Sequence, residues 1–360
     1  MRRALSAIIA TDTELELVGT AFNGRNALEK IDKLDPDVVT MDIEMPELDG
    51  IGALKEIMAS REHPPAILMC SSLTVEGSRS ALDALQHGAA DVIAKPTSAA
   101  GIHQSPDARL MLDKIRGVAK HRRQFRRFAR VAQAATSERA ASERPKRAVP
   151  ISSIPKRPVS CVVVGSSTGG PPALEAMLGQ LPADLAVPVV VAQHMPPMFT
   201  QSLASRLDSL TALTVVHAET GMPLLPGTVY IAQGGRHLRV ARVGAGRSRL
   251  EITNQPAEAL YKPSVNVLFE SAAQVFGPKV MGVMLTGMGD DGAKGSKSLV
   301  DAGGMLLGQT EASCVVYGMP RAVQEAGLVT AQLDPADLGR AITHLTAHTP
   351  GSEAHAEHAA

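Results

Sequence analysis

The chain reads as two α/β units joined by a basic helical segment, and three observations carry that expectation. Short apolar runs alternate with amphipathic helical patterns in two series along the chain, the pattern of parallel sheets wrapped by helices. Between the two series, from Thr97 to Pro158, stand fifteen Lys/Arg against four Asp/Glu, although the whole chain balances at 36 basic and 36 acidic residues. A length of 360 residues suits two or three domains of roughly 100–200 residues each.

Composition excludes several classes. Cys70, Cys161 and Cys314 each lie in or beside an apolar run, so buried, reduced thiols are expected rather than a disulfide framework. Apolar stretches such as "LAVPVVVA" at 185–192 fall well short of the roughly 20 residues a membrane span needs, and no signal-peptide pattern opens the chain. A cytoplasmic protein without membrane insertion is expected. The basic stretch begins as "DARLMLDKIRGVAKHRRQFRRFARVAQ", apolar at helical spacing, and continues as "AATSERAASERPKRAVPISSIPKRP", which has no period. It reads as a helix with a solvated face running into a linker. Only Phe125 and Phe128 accompany its charge as stacking residues, so no nucleic-acid partner is expected. The expected boundaries are a first α/β unit at 1–97, the basic helix and linker at 98–158, a second α/β unit at 159–347 and a disordered tail at 348–360.

In the first unit "MRRALSAIIA" reads as a helix. Strand-like "LELVGTA", "DVVTMD", "AILMCSS" and "DVIAKP" then alternate with helical "GRNALEKIDKL", "DGIGALKEIMAS" and "SRSALDALQHG". Parallel sheets collect their chemistry at the carboxyl ends of the strands, where Asp42, Ser71 and Lys95 stand. A carboxylate, a hydroxyl and an ammonium suit a site in which the carboxylate accepts a phosphoryl group and the other two bond its oxygens. "VVTMDIEMPELDGIGALKEI" together with "AILMCSS" and "DVIAKP" resembles the receiver domain of two-component response regulators, which has a flavodoxin-like fold. The resemblance implies that Asp42 is the phosphoacceptor and that Ser71 and Lys95 are the switch hydroxyl and the lysine of the site. It further implies magnesium, held by Asp42 and the Glu44 carbonyl. Receivers open on a strand that ends in an acidic pair for that ion, whereas this chain opens at the following helix. About a dozen residues are therefore expected to precede Met1, and without them phosphorylation of Asp42 would be impaired.

The second unit repeats the alternation. "SCVVVG" leads into Ser166, Ser167 and Thr168, "LAVPVVVAQ" into His194, and "KVMGVMLTG" into Asp290 and Asp291. A hydroxyl, an imidazole and a carboxylate at three strand ends are the inventory of nucleophilic acyl transfer: the imidazole removes the hydroxyl proton, and the carboxylate fixes the imidazole tautomer. Each feature alone has other readings. "GSSTGG" could bind an anion at a helix N-terminus or be a plain turn, though it lacks the dinucleotide fingerprint, the P-loop lysine and the nucleophile elbow. His194 could be a satisfied structural histidine. Asp290 and Asp291 could be turn formers or metal ligands, with His217 and His237 as the candidates to join them.

Read together, "VVVGSSTGGPPAL", "VVVAQHMPPMFTQSLASRL", "LLPGTVYIAQGGRHL", "PSVNVLFESAA", "GVMLTGMGDDGAKG" and "GQTEASCVVYGMPRAV" resemble the catalytic domain of the chemotaxis protein-glutamate methylesterases, the CheB family. The order of receiver, linker and hydrolase agrees with that family. The resemblance implies a doubly wound, mainly parallel α/β hydrolytic domain in which Ser167 is the nucleophile, His194 the general base and Asp291 the orienting acid, with an exchange of roles between Asp290 and Asp291 left open. Backbone N–H groups of Met288 and Thr168 are the implied oxyanion donors. The implied activity is demethylation of γ-glutamyl methyl esters on the cytoplasmic helices of chemoreceptors, with release of methanol, and deamidation of receptor glutamines. The implied phosphodonor is a chemotaxis histidine kinase, and the hydrolysis needs no cofactor. A nucleic-acid-binding output would instead call for a helix-turn-helix in the second unit, and a nucleotide-binding enzyme for a phosphate-loop lysine or a ribose-binding acid.

Overall fold

The computed structural model describes residues 1–95, 106–135, 150–244 and 246–347, with the side chains of the helix at 106–135 described over residues 108–123. The remainder of the expected linker and the expected tail at 348–360 lie outside the described residues. Two compact units divide the chain, Met1–Arg147 and Ala148–Ala360.

The first unit runs α1 (Arg2–Ile9), α2 (Gly24–Leu34), β1 (Val38–Asp42), α3 (Gly50–Ser60), β2 (Ala66–Ser71), α4 (Val75–Gln86), β3 (Asp91–Ala94) and α5 (Pro106–Ala135). Its three strands pair in parallel in the order β1-β2-β3. The helix starts are written in the sequence. Asn23, Asp49 and Thr74 each accept an N–H of the first turn with the side chain, from Asn26, Gly52 and Gly77, which satisfies donors the helix itself leaves open. β2 is the buried centre, with Ile67, Leu68, Met69 and Cys70 inaccessible to solvent.

The strand expected at "LELVGTA" does not form. An extended run becomes a strand only where a neighbour completes its hydrogen bonds, and among the described residues the sheet ends at β1. Leu17 and Val18 are 43% and 46% exposed. The first half of α5 buries Ala108, Met111, Leu112, Ile115 and Val118, a stripe at helical spacing, so the start of the basic segment belongs to the core of this unit.

On that buried face Lys114 reaches the carboxylate of Asp91 at 2.9 Å, the two side chains being 8% and 5% exposed. Its ammonium also donates to the Val92 carbonyl at 3.1 Å. Removing one member of such a pair strands the other charge out of water. Lys114→Met is expected to cost this unit about 3 kcal/mol. Urea denaturation checks it, and a loss below about 1 kcal/mol would mean that solvent reaches Asp91.

The second unit contains β4 (Cys161–Ser166), α6 (Gly170–Leu178), β5 (Val189–Gln193), α7 (Pro197–Leu210), β6 (Thr214–His217), β7 (Thr228–Ile231), the antiparallel hairpin β8 (His237–Val243) and β9 (Arg247–Thr253), then α8 (Val265–Phe276), β10 (Val280–Met284), α9 (Ala293–Asp301), β11 (Met305–Gln309), α10 (Met319–Glu325), β12 (Ala331–Leu333) and α11 (Pro335–Thr346). Seven strands form one parallel sheet in the order β12-β11-β10-β4-β5-β7-β6. The valine runs Val162–Val164 and Val189–Val191 lie side by side, fully buried, as strands covered on both faces require.

The chain winds outward from β4 through β5 to β6 and β7, then returns to the other side of β4 as β10. The strand order therefore reverses between β4 and β10, and the crevice beyond the carboxyl ends at such a point is where an α/β sheet places its ligand site. Cys161 and Cys314 are buried like Cys70, none of them bonded to another cysteine. Burial pushes the Cys70 and Cys314 thiols up to about 12.

Candidate active site

Ser167 follows the last residue of β4, 3% exposed. Its turn is held by the backbone: its N–H donates to the Thr286 carbonyl at 3.0 Å, and its carbonyl accepts from the Gly170 N–H at 2.8 Å and from Gln193 Nε2 at 2.9 Å. The next turn residue, Gly169, has φ +77°, and a Cβ there would fall 2.6 Å from Val315 Cγ2. Glycine is required on both counts. α6 then starts with prolines in its first turn, where a missing N–H costs nothing.

His194 lies just past β5, its N–H bonded to the Ser166 carbonyl at 3.0 Å. This bond ties the imidazole's backbone to the serine turn. Gln193 reinforces the tie: its Oε1 accepts from Ser166 Oγ at 2.5 Å, and its Nε2 also donates to the His194 carbonyl at 3.2 Å. The His194 ring is buried, with Nε2 2.8 Å from Asp291 Oδ2. Its other nitrogen, Nδ1, is buried with no hydrogen-bond partner among the described residues. Tyr261 stacks on the ring with centroids 4.3 Å apart and planes 6° from parallel.

Asp291 lies between β10 and α9, and its carboxylate meets the N-terminus of α8. Oδ1 accepts from Ser264 Oγ at 2.9 Å and the Asn266 N–H at 3.2 Å, and Oδ2 accepts from the Val265 N–H at 2.7 Å beside His194. Burial opposes ionisation of this carboxyl, but the bonds from His194, Val265 and Ser264 outweigh it and hold Asp291 below the usual carboxylate range. An ionised carboxylate only accepts, so the facing His194 Nε2 carries the proton and Nδ1 presents its lone pair. Asp291 thus meets the imidazole at Nε2, whereas in the Ser-His-Asp template the acid meets Nδ1. Asp290 is exposed, and the carboxylate hydrogen-bonded to His194 is that of Asp291.

The loop carrying Met288 runs beside the serine. A Cβ on Gly287 would lie 2.9 Å from Ser167 Cβ, so glycine permits this close approach. Thr286 locks the arrangement, donating through Oγ1 to the Thr168 carbonyl at 2.9 Å, accepting the Val316 N–H at 3.1 Å, and giving its own N–H to Gln309 Oε1 at 2.7 Å. The two further histidines are occupied structurally. His217 Nε2 meets Thr200 Oγ1 at 3.1 Å, while His237 accepts the Ser264 N–H on Nδ1 and faces the Pro256 carbonyl with Nε2. Burial holds both below the usual histidine range. Among the described residues, no three His, Cys, Asp or Glu side chains are grouped to hold a metal ion. Gln193, Tyr261, Ser264, Thr286 and Gln309 escaped notice in the sequence. Their partners lie more than twenty residues away or at the other end of a loop, so composition and period carry no sign of them.

In the first unit Asp42 and Lys95 meet at 2.8 Å, and Lys95 also reaches Glu44 Oε2 at 3.1 Å. Burial pulls the Lys95 ammonium down, but its bonds to Asp42 and Glu44 prevail and it titrates above the usual lysine value. The Ser71 hydroxyl, expected to face this pair, is buried and donates to the Gly77 carbonyl at 2.7 Å. Glu44 meets this pair through its carboxylate, on Lys95. No third His, Cys, Asp or Glu is grouped with them among the described residues, but magnesium is commonly bound through one or two carboxylates with water in its other positions, so the Asp42 carboxylate and the Glu44 carbonyl would hold the ion here.

A serine, a histidine and a carboxylate at adjoining strand ends of a parallel α/β sheet define a site of the serine-hydrolase class, here on a chain with a second α/β unit that carries an aspartate at a strand end. Residues 162–342 match the family model described as CheB methylesterase, and residues 1–106 match that of the response regulator receiver domain. The chain is 45% identical over 354 residues to protein-glutamate methylesterase/protein-glutamine glutaminase 1 of Oleidesulfovibrio alaskensis, covering 95% of each chain. It is 42% identical over 351 residues to the protein of the same name from Vibrio cholerae, covering 92% of each. The crystal structure of the Thermotoga maritima CheB methylesterase catalytic domain superposes with a TM-score of 0.51 at 39% identity, covering 52% of this chain and all of that one. The chain belongs to the CheB methylesterase family and carries a response regulator receiver domain.

Proposed function

We propose that the protein hydrolyses γ-glutamyl methyl esters on chemoreceptor helices, and the corresponding glutamine amides, through an acyl-enzyme on Ser167. The observation that carries this is the 2.8 Å bond from His194 Nε2 to Asp291, made just past β5, the strand paired with the one that leads into Ser167, with Nδ1 left without a hydrogen bond among the described residues. Ser167 Oγ attacks the γ-carbonyl carbon as its proton passes to His194 Nδ1, and the positive imidazolium is stabilised by Asp291. The oxyanion is held by the Met288 and Thr168 N–H groups; a donor of this kind is worth about 2.7–4 kcal/mol. Collapse breaks the ester C–O bond, and methoxide leaves with the imidazolium proton as methanol. Water then gives a proton to His194 and attacks the acyl carbon; the acyl bond to Ser167 Oγ breaks, Oγ takes the proton back from His194, and glutamate leaves. With an amide substrate, ammonia leaves in place of methanol.

The receiver reading adds control. Asp42 accepts a phosphoryl group from a chemotaxis histidine kinase, and replacing a singly charged carboxylate by an acyl phosphate of about −2 adds a charge of about −1 that acts on Lys95, its present partner. The receptor substrate and kinase place the protein in the cytoplasm. No helix among the described residues is long and apolar enough to cross a membrane.

The test is methanol release from methylated receptor membranes, measured with and without a small-molecule phosphodonor. Release is expected in both arms and faster with the donor, and Asp42→Asn should remove the difference while keeping the basal rate. Absence of methanol from both arms would sink the esterase reading.

A further inference from the structure

We propose that Tyr261 is a positioning residue for the reaction, clamping the His194 ring so that Nε2 stays on Asp291 and Nδ1 faces Ser167; this rests on the esterase reading above. Asp291 grips the imidazole at one edge only, at Nε2. The other edge, Nδ1, has no hydrogen bond among the described residues, so hydrogen bonding leaves the ring free to turn about the line from Nε2 to the carboxylate. Face-to-face contact with Tyr261, at 4.3 Å and 6°, opposes that rotation. A planar partner can do this because it touches both halves of the imidazole at once.

The geometry of the segment shows why this tyrosine is rigid enough to serve. Between β9 and α8 the chain is anchored before the ring, where the Pro256 carbonyl meets His237 Nε2 at 3.1 Å, and after it, where the Lys262 carbonyl accepts the Gly235 N–H at 2.9 Å and the Ser264 N–H donates to His237 Nδ1 at 3.1 Å. Ser264, Val265 and Asn266 then supply the donors that hold Asp291. One short segment thus fixes the carboxylate from its helix start and the imidazole from its aromatic ring. The ring also reaches the loop of Met288 and Asp291: a Cβ on Gly289 would be 3.4 Å from the Tyr261 hydroxyl oxygen.

Two substitutions separate clamping from filling space. Tyr261→Phe keeps the planar face, whereas Tyr261→Leu keeps apolar volume without it. In methanol release by the full chain, Tyr261→Phe should stay within about threefold of the wild type and Tyr261→Leu should lose about 10- to 100-fold, in kcat rather than KM, as expected of a misaligned base. Thermal melting is followed alongside; if Tyr261→Leu unfolds, Tyr261→Met is read by the same criteria. A leucine variant with wild-type kcat, or a loss confined to KM, would overturn the proposal. A second readout needs no turnover: the His194 Nε2 proton, assigned in NMR spectra with His194→Gln, should be visible in the wild type and in Tyr261→Phe and lost to exchange in Tyr261→Leu. Should the wild type release no methanol, the esterase reading fails. The NMR comparison then still decides the clamp, with persistence of the resonance in the leucine variant counting against it.

Discussion

Replacing Ser167 by alanine is expected to abolish methanol release, with a loss on the order of 10⁶-fold in kcat if the site behaves like other serine hydrolases whose nucleophile is removed. The substitution deletes one oxygen and leaves the turn intact, because the turn is built from backbone bonds to Thr286, Gly170 and Gln193. Melting temperature should therefore be unchanged. Ser166→Ala is the informative neighbour. It removes the 2.5 Å donor to Gln193 Oε1 and leaves a buried acceptor unpaired, which costs about 1–3 kcal/mol of stability, yet the nucleophile survives. Loss of stability with retained activity in one variant, and the reverse in the other, is the expected pattern. Substantial methanol release by Ser167→Ala would overturn the mechanism.

Asp291→Asn should cost about 10³–10⁴-fold in kcat. Four donors converge on the carboxylate, from Ser264, Val265, Asn266 and His194, and an ionised carboxylate accepts all of them. An asparagine amide must set its own NH₂ against two of those donors. With the NH₂ on the Oδ2 side, the Val265 N–H cannot change, and His194 answers by moving its proton to Nδ1 and accepting at Nε2. That tautomer has no lone pair on Nδ1 for the Ser167 proton. Steady-state methanol release gives the magnitude, and a variant within about tenfold of the wild type would remove Asp291 from the reaction.

The same carboxylate links stability to pH. Its folded pKa lies below the ordinary carboxylate value, so its contribution is complete above the unfolded value near 3.9 and is lost as pH falls through the lower folded one. Acid unfolding of the wild type should show this extra slope below about pH 4, and Asp291→Asn should lack it.

How much of this was legible beforehand can be argued from particular residues. The strands around Val162–Val164 and Val189–Val191 were readable because a strand buried on both faces is an unbroken β-branched run. The caps Asn23, Asp49 and Thr74 went unremarked in the sequence although they act within three residues along the chain. Failure came at "LELVGTA", whose apolar residues resemble those of a strand. Pairing is a property of the neighbour, and among the described residues no strand pairs with this run. Ser71 was placed at the correct strand end, yet its hydroxyl turns toward Gly77, a choice made by the start of α4.

Ser167, His194 and Asp291 could be named as candidates because an α/β sheet brings reactive groups to its carboxyl edge, and short blocks of sequence mark those strand ends. Which nitrogen of His194 meets the acid, which of two adjacent aspartates does so, and what lies against the imidazole face were settled by folding. Those outcomes depend on bonds between segments up to 97 residues apart, the separation of His194 and Asp291. Local preferences act over a few residues, whereas the direction of a buried hydrogen bond is set by whichever donors and acceptors packing leaves within about 3 Å. The "GSSTGG" turn could be recognised as a turn from its own residues; the imidazole and carboxylate beside it came from β5 and β10, and from the helix that starts at Val265.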